Sequence, residues 1–178
     1  MVASVSQKLV VDPGKKARAI VLVVALTASL VVTLAGTISW MSPSEAQGIV
    51  KEVEGQIPYL VSIAAIFGNN FMHCLIMFTP ILGPIYALYV LYSTGRVLAA
   101  FAMVRGIAPF FLFGFTFLFP HAWVEYMAYA LAMSQSVWLI VGLAQRRFKA
   151  EAINTCVSIT VCALLLLLAA VIEISLLK

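Results

Sequence analysis

The sequence predicts an all-α membrane protein, a polytopic helix bundle of about five spans plus one re-entrant half-helix, with its N-terminus in the cytoplasm. Three observations predict it. Only 10% of the 178 residues are charged while 63% are hydrophobic, and the mean hydropathy is +1.08. Several apolar runs exceed the roughly 18 residues that cross a bilayer core. The basic residues gather at the ends of those runs, where they report orientation. The net charge of +4 therefore marks topology and not nucleic-acid binding. Residues 1–18 read as a cytoplasmic N-terminal segment and 19–178 as a single transmembrane domain.

Lys8, Lys15, Lys16 and Arg18 against Asp12 place the N-terminal end on the cytoplasmic side. The run Ala19–Met41 holds 23 residues without a charge. That is longer than the apolar region of a secretory signal, so it reads as a retained first span. In "SPSEAQGIVKEVEGQ", residues 42–56, Ser42 can cap, Pro43 suits the first helical position and Glu45 completes an S-x-x-E capping box. Ile49, Val50 and Val53 share one side, which fits a short amphipathic helix at the outer surface; a plain solvated connector fits as well. Ile57–Thr79 reads as the second span. Pro80, Gly83 and Pro84 punctuate a turn, and Ile85–Val104 reads as the third span.

Residues 107–145 are long enough for two spans, but parity allows one. The basic cluster "QRRFK", residues 145–149, belongs with the N-terminus on the cytoplasmic side. Three spans leave the chain outside at Arg105, so a single crossing follows. The 13 residues "IAPFFLFGFTFLF", 107–119, then read as a half-helix running from Pro109 and broken at Pro120. Irregular backbone at membrane depth needs protein or a wet cavity around it, so Phe119–His121 is expected inside the bundle, covered by spans two and three. His121–Gln145 and Ala152–Leu176 complete the five.

Polar groups within these runs are the candidate site. They are Asn69, Asn70 and His73 in span two, Arg96 beside Gly95 in span three, and Pro120, His121 and Glu125 after the half-helix. Asn69 and His73 stand one helical turn apart, as do His121 and Glu125. Arg96 and Glu125 are the opposite-charge candidates for an intramembrane pair. His73, His121 and Glu125 could supply three metal ligands, but no helical metalloprotease motif is present and no metal or other cofactor is assigned. Ser93 and Ser134 lack the neighbouring base of a nucleophile, and no catalytic residue is assigned. An ion path through the histidines and Glu125 stays open. The plainer reading is that these groups hydrogen-bond across helices and satisfy the broken backbone near Pro120. Glu125 is expected in the first turns of its helix, where free N–H groups favour a carboxylate. Cys74, Cys156 and Cys162 form no CxxC and read as small apolar residues.

Three stretches carry a resemblance. They are the asparagine pair in "FGNNFMHCLIMF" (67–78), the glycine in "YSTGRVLAAF" (92–101), and the Pro-His followed by glutamate in "LFPHAWVEYMAYALA" (118–132). In these the chain resembles the stage II sporulation protein M family of integral membrane proteins. Thr94 stands where that family carries asparagine, and Ala122 where it carries glycine. The resemblance implies a five-span, non-enzymatic scaffold subunit of the cell membrane. The namesake belongs to a peptidoglycan-remodelling machine whose hydrolases are separate proteins. The partners expected are the lipid bilayer and other membrane or envelope proteins, including further copies of the chain, with no nucleic acid. The alternative is a small transporter or channel-like component.

Overall fold

A computed structural model describes residues 14–59 and 62–176, and the described residues are helices and their connections, with no strand. The helices are α1 (Lys15–Thr37), α2 (Pro43–Gln56), α3 (Ile63–Met77), α4 (Leu82–Arg105), α5 (Pro109–Thr116), α6 (Pro120–Ala144) and α7 (Phe148–Leu176), with a 3-10 turn at Ile57–Tyr59. Four of them, α1, α4, α6 and α7, are long and apolar enough to cross a membrane. The expected second span is shorter than its apolar run. Pro58 lies in the 3-10 turn and Ser62 starts a new helix by accepting the Ala65 N–H at 3.1 Å. What remains, α3, has 15 residues and is about 22 Å long.

Side-chain and backbone contacts fix the helix directions. α1 and α4 run parallel, with Gly36 against Gly95. α6 runs against α1, since Tyr126 meets Thr33 while Gln135 meets Arg18. α7 runs against α6, with Cys162 at Ala128 and Thr155 at Gln135. α6 is the central helix, packed by α1, α3, α4 and α7. Small residues on every side of it, including Ala122, Ala128, Ala130, Ala132, Ser134 and Ser136, allow that many close neighbours.

The α1–α4 contact crosses at Gly36 of α1 and Gly95 of α4, with Thr33 and Thr37 beside them. Buried residues recur every four positions on both helices, mostly small: Ala25, Ser29, Thr33 and Thr37 on α1, and Gly83, Ala87, Leu91, Gly95 and Ala99 on α4. At the crossing, a Cβ on Gly95 would overlap the Thr33 carbonyl oxygen and stand 2.8 Å from the Thr37 nitrogen. Only glycine admits that approach.

The turn into α4 explains an unusual residue. Ile81 has φ 68 and ψ −56, and Leu82 N–H donates to the Pro80 carbonyl at 2.8 Å. This is the strained γ-turn that glycine would suit better. Gly83, two residues on, serves a close approach instead, since a Cβ there would overlap the Met77 carbonyl. At the other end of α4, Gly106 takes the left-handed conformation and closes the helix through its N–H to Met103 and that of Ile107 to Ala102.

The capping box of α2 is half realised. Ser42 Oγ accepts from Glu45 N–H at 3.2 Å, but the Glu45 carboxylate turns to Arg96. α2 lies across the C-terminal third of α4, where Met41, Ala46, Val50, Ala99 and Ala100 form a second small core. Of the two readings of 42–56, the amphipathic helix is the one present, with its apolar side laid on α4.

The expectation for Phe119–His121 does not hold. α5 packs on α1 and α4, the first and third spans of the sequence reading, and none of its residues is buried. Pro120 is exposed, with Phe119 and His121 half-buried. α5 has 8 residues and extends about 12 Å. Pro109 shares a cavity with Thr37 and Met41, while Phe117 packs on Tyr126, which bonds Thr33. Both ends of α5 thus stay near the C-terminal end of α1. Its irregular backbone is satisfied locally: the Phe117 N–H donates to Gly114, and the Phe117 carbonyl accepts the Trp123 indole N–H at 2.8 Å.

Candidate functional site

Pro120 occupies the first helical position of α6 after an extended Phe119, so the "FPH" break in the sequence is the start of the central helix. Glu125 is the sixth residue of α6 and lies past the turn whose N–H groups are free. Its carboxylate is held across the bundle instead: Asn70 Nδ2 of α3 donates to Glu125 Oε1 at 2.7 Å. The amide of Asn70 thus gives a partly buried Glu125 oxygen its hydrogen-bond donor.

Asn70, not Asn69, is the inward asparagine. The buried side of α3 runs through Ile66, Cys74 and Met77, and Asn70 falls on it one turn from Ile66 and from Cys74. Asn69 is exposed and donates weakly to Asn70 at 3.4 Å. His73, one turn along α3 from Asn69, meets α4, its Nδ1 2.6 Å from the Tyr86 hydroxyl with the rings stacked at 5.9 Å. His121 stacks on Phe119 at 5.8 Å, and its buried Nδ1 has no hydrogen-bond partner among the described residues. Next to Glu125, Tyr126 lies 2.7 Å from Thr33 Oγ1 on α1.

Arg96 and Glu125 do not meet. Arg96 lies on the α2 side of α4, paired with Glu45 and donating to Ser39 Oγ at 3.4 Å. Gly95, the neighbouring candidate, faces the opposite helix α1 and serves packing. Among the described residues, no three of His, Cys, Asp and Glu converge as metal ligands would.

A second polar cluster escaped the reading of the sequence. At the other end of the bundle, Arg18 Nη2 of α1 donates to Glu151 Oε1 of α7 at 2.6 Å, and Arg18 lies over the Trp138 ring at 5.1 Å. Gln135 of α6 donates to the Glu151 backbone carbonyl and to Thr155, and Asn154 donates to Glu151 Oε2. Glu151 is 2% exposed. It fits there because Gly142 of α6 leaves the space that a Cβ would fill, 2.6 Å from Glu151 Cγ. The signal in the sequence was a carboxylate lodged among Arg146, Arg147 and Lys149, where charges read as a topology marker.

No known family, curated protein or solved structure matches the chain. Its four long apolar helices mark a membrane protein, with outward-facing side chains in contact with lipid.

Proposed function

We propose that the chain is a non-enzymatic, multi-pass subunit of the cell membrane that scaffolds a larger membrane or envelope complex. One observation carries this reading: the polar groups within the apolar helices and at their ends join helices to one another. Asn70–Glu125 ties α3 to α6, Thr33–Tyr126 ties α1 to α6, His73–Tyr86 ties α3 to α4, and Arg18–Glu151 ties α1 to α7. Such bonds hold a bundle in one arrangement and leave the side chains committed. The resemblance to the stage II sporulation protein M family supports the same role.

The proposed topology is five spans, with α3 as the short second one and α5 as a shallow re-entrant element. α3 runs with α6, Asn70 lying at Glu125 and Thr79 at Ser136, so the directions alternate as five spans require; the basic residues at the start of α1 and between α6 and α7 favour the cytoplasm for that end. Arg105→Cys and Lys149→Cys, labelled from the two sides of the membrane against the parent chain as blank, should react from opposite sides. Reaction from the same side sinks the five-span topology.

The role is tested with Glu125→Gln and His121→Ala. Glutamine keeps an acceptor oxygen for Asn70 Nδ2, so Glu125→Leu is the control that removes the Asn70–Glu125 tie; in a scaffold it lowers abundance or the yield of co-purifying proteins in mild detergent, while Glu125→Gln keeps more of both. A variant that stays fully assembled but loses an ion flux supports the transporter reading instead, for which Glu125 beside Asn70 is the group to follow.

A further inference from the structure

Between α1 and α7, over α6, a cleft of about 310 Å³ opens at the Arg18 end of the bundle. The three helices that line it carry a polar residue nearer the mouth than an apolar one, with Trp138 at the mouth and Ser158 beside Val157 as the exceptions. On α1 Arg18 precedes Leu22, on α6 Gln135 follows Leu131, and on α7 Asn154 precedes Val157. Because α6 runs against the other two, all three place the polar residue toward the end of the bundle and the apolar residue one turn deeper. A cleft that is polar at the membrane boundary and apolar below matches the head and first chain segments of a lipid. Its volume lies at the lower limit of ligand clefts, which run from about 300 to 1,000 Å³, so it suits a headgroup and not a whole lipid.

Charge selects among headgroups. The Arg18–Glu151 pair is neutral as a unit. The rest of this end is basic: Lys15, one turn before Arg18 and Ala19 on the same face of α1, with Lys16, Arg146 and Lys149, all exposed. Basic pockets between membrane helices recognise anionic headgroups in this way. The geometry points to a binding site for an anionic phospholipid. Its phosphate stands at the mouth, beside Lys15 and the 28% of Arg18 left exposed by the Glu151 pair, and its chains lie along Leu22, Leu131 and Val157. The inference rests on the membrane setting and is independent of the scaffold role.

The test is native mass spectrometry of the full chain released from bilayers containing equal amounts of phosphatidylglycerol and phosphatidylcholine. Both lipids carry the phosphate and only phosphatidylcholine neutralises it with choline, so phosphatidylglycerol should be retained about fivefold over phosphatidylcholine if one cation feels the net charge and about thirtyfold if two do. Ala19→Trp, which fills the mouth of the cleft from an exposed position, should abolish that preference, and Lys15→Gln should reduce it. If Ala19→Trp loses helicity, Val157→Trp closes the cleft from the opposite wall. Equal retention of the two lipids overturns the proposal. So does a preference that survives both tryptophans, which would make it a property of the general surface charge. Binding that appears only after removal of residues 2–13 would show the cleft filled by the chain itself and would equally overturn it. Any of these results, obtained on protein that still extracts from the membrane, leaves the membrane reading standing.

Discussion

Gly95→Ala should weaken the bundle by separating α1 from α4. The new methyl cannot occupy the site described, since it would overlap the Thr33 carbonyl oxygen and stand 2.8 Å from Thr37 N and 2.9 Å from Gly36 Cα. None of these is the movable tip of a side chain, so the helices themselves have to part by about 0.5–1 Å. A gap of that size forfeits about a quarter to a half of the dispersion attraction along the seam. Overpacking of this kind costs about 1–3 kcal/mol. Gly36→Ala meets Tyr92 and Gly95 across the same seam and should cost a similar amount. One separation relieves both clashes, so the double variant should fall short of the sum by more than the roughly 0.5 kcal/mol scatter of independent sites. The assay is reversible unfolding in mild detergent, followed by helicity. A neutral Gly95→Ala, or two losses that simply add, would refute the close approach.

Three further outcomes test other parts of the structure by the same unfolding measurement. Ile81→Gly should stabilise by about 1 kcal/mol: relief of a strained backbone returns about 1–3 kcal/mol, less about 0.5–1 kcal/mol for the freer unfolded glycine; a loss would mean that Ile81 is not held in the γ-turn. Arg18→Gln should cost about 3 kcal/mol, the low end for breaking a buried pair because Arg18 is 28% exposed. Replacing Arg18 and Glu151 together by Met should restore most of it, and a double variant weaker than the single one would contradict the pairing. The Arg96–Glu45 pair, 22% and 48% exposed, should show a coupling of no more than about 1 kcal/mol in a double-mutant cycle. A coupling well above that would place the pair out of reach of water.

The membrane class and most helix positions could be read from the chain because they depend on local quantities. The apolar run lengths mark α1, α4, α6 and α7; Ser42 and Pro43 mark the start of α2, and Pro120 that of α6. Partner choice could not be read in this way. Arg96 and Glu125 are the obvious opposite charges in the sequence, yet Arg96 finds Glu45 because Gly95 commits the adjacent face of α4 to α1. The register of the polar groups on α3 was also beyond the sequence. Asn69 and Asn70 differ only by a rotation of the helix about its axis, and the packing of Cys74 and Met77 against the bundle sets that rotation. Arg18 and Glu151 were hidden for another reason. A charge at the end of an apolar run reads the same whether it meets water or a partner.

The central position of α6 has a consequence for how the protein is made. Its neighbours α1, α3 and α4 all precede it in the chain. When the ribosome has reached only residue 119, Thr33 lacks Tyr126 and Asn70 lacks Glu125. The nascent helices therefore wait around an empty slot lined with unmet hydroxyl and amide groups. α6 is less apolar than α1 or α7, with a mean hydropathy of 1.5 against 2.5 and 2.7. It gains most by leaving the insertion machinery directly into that slot and not into lipid. Until it does, Thr33 and Asn70 are without the partners that α6 brings.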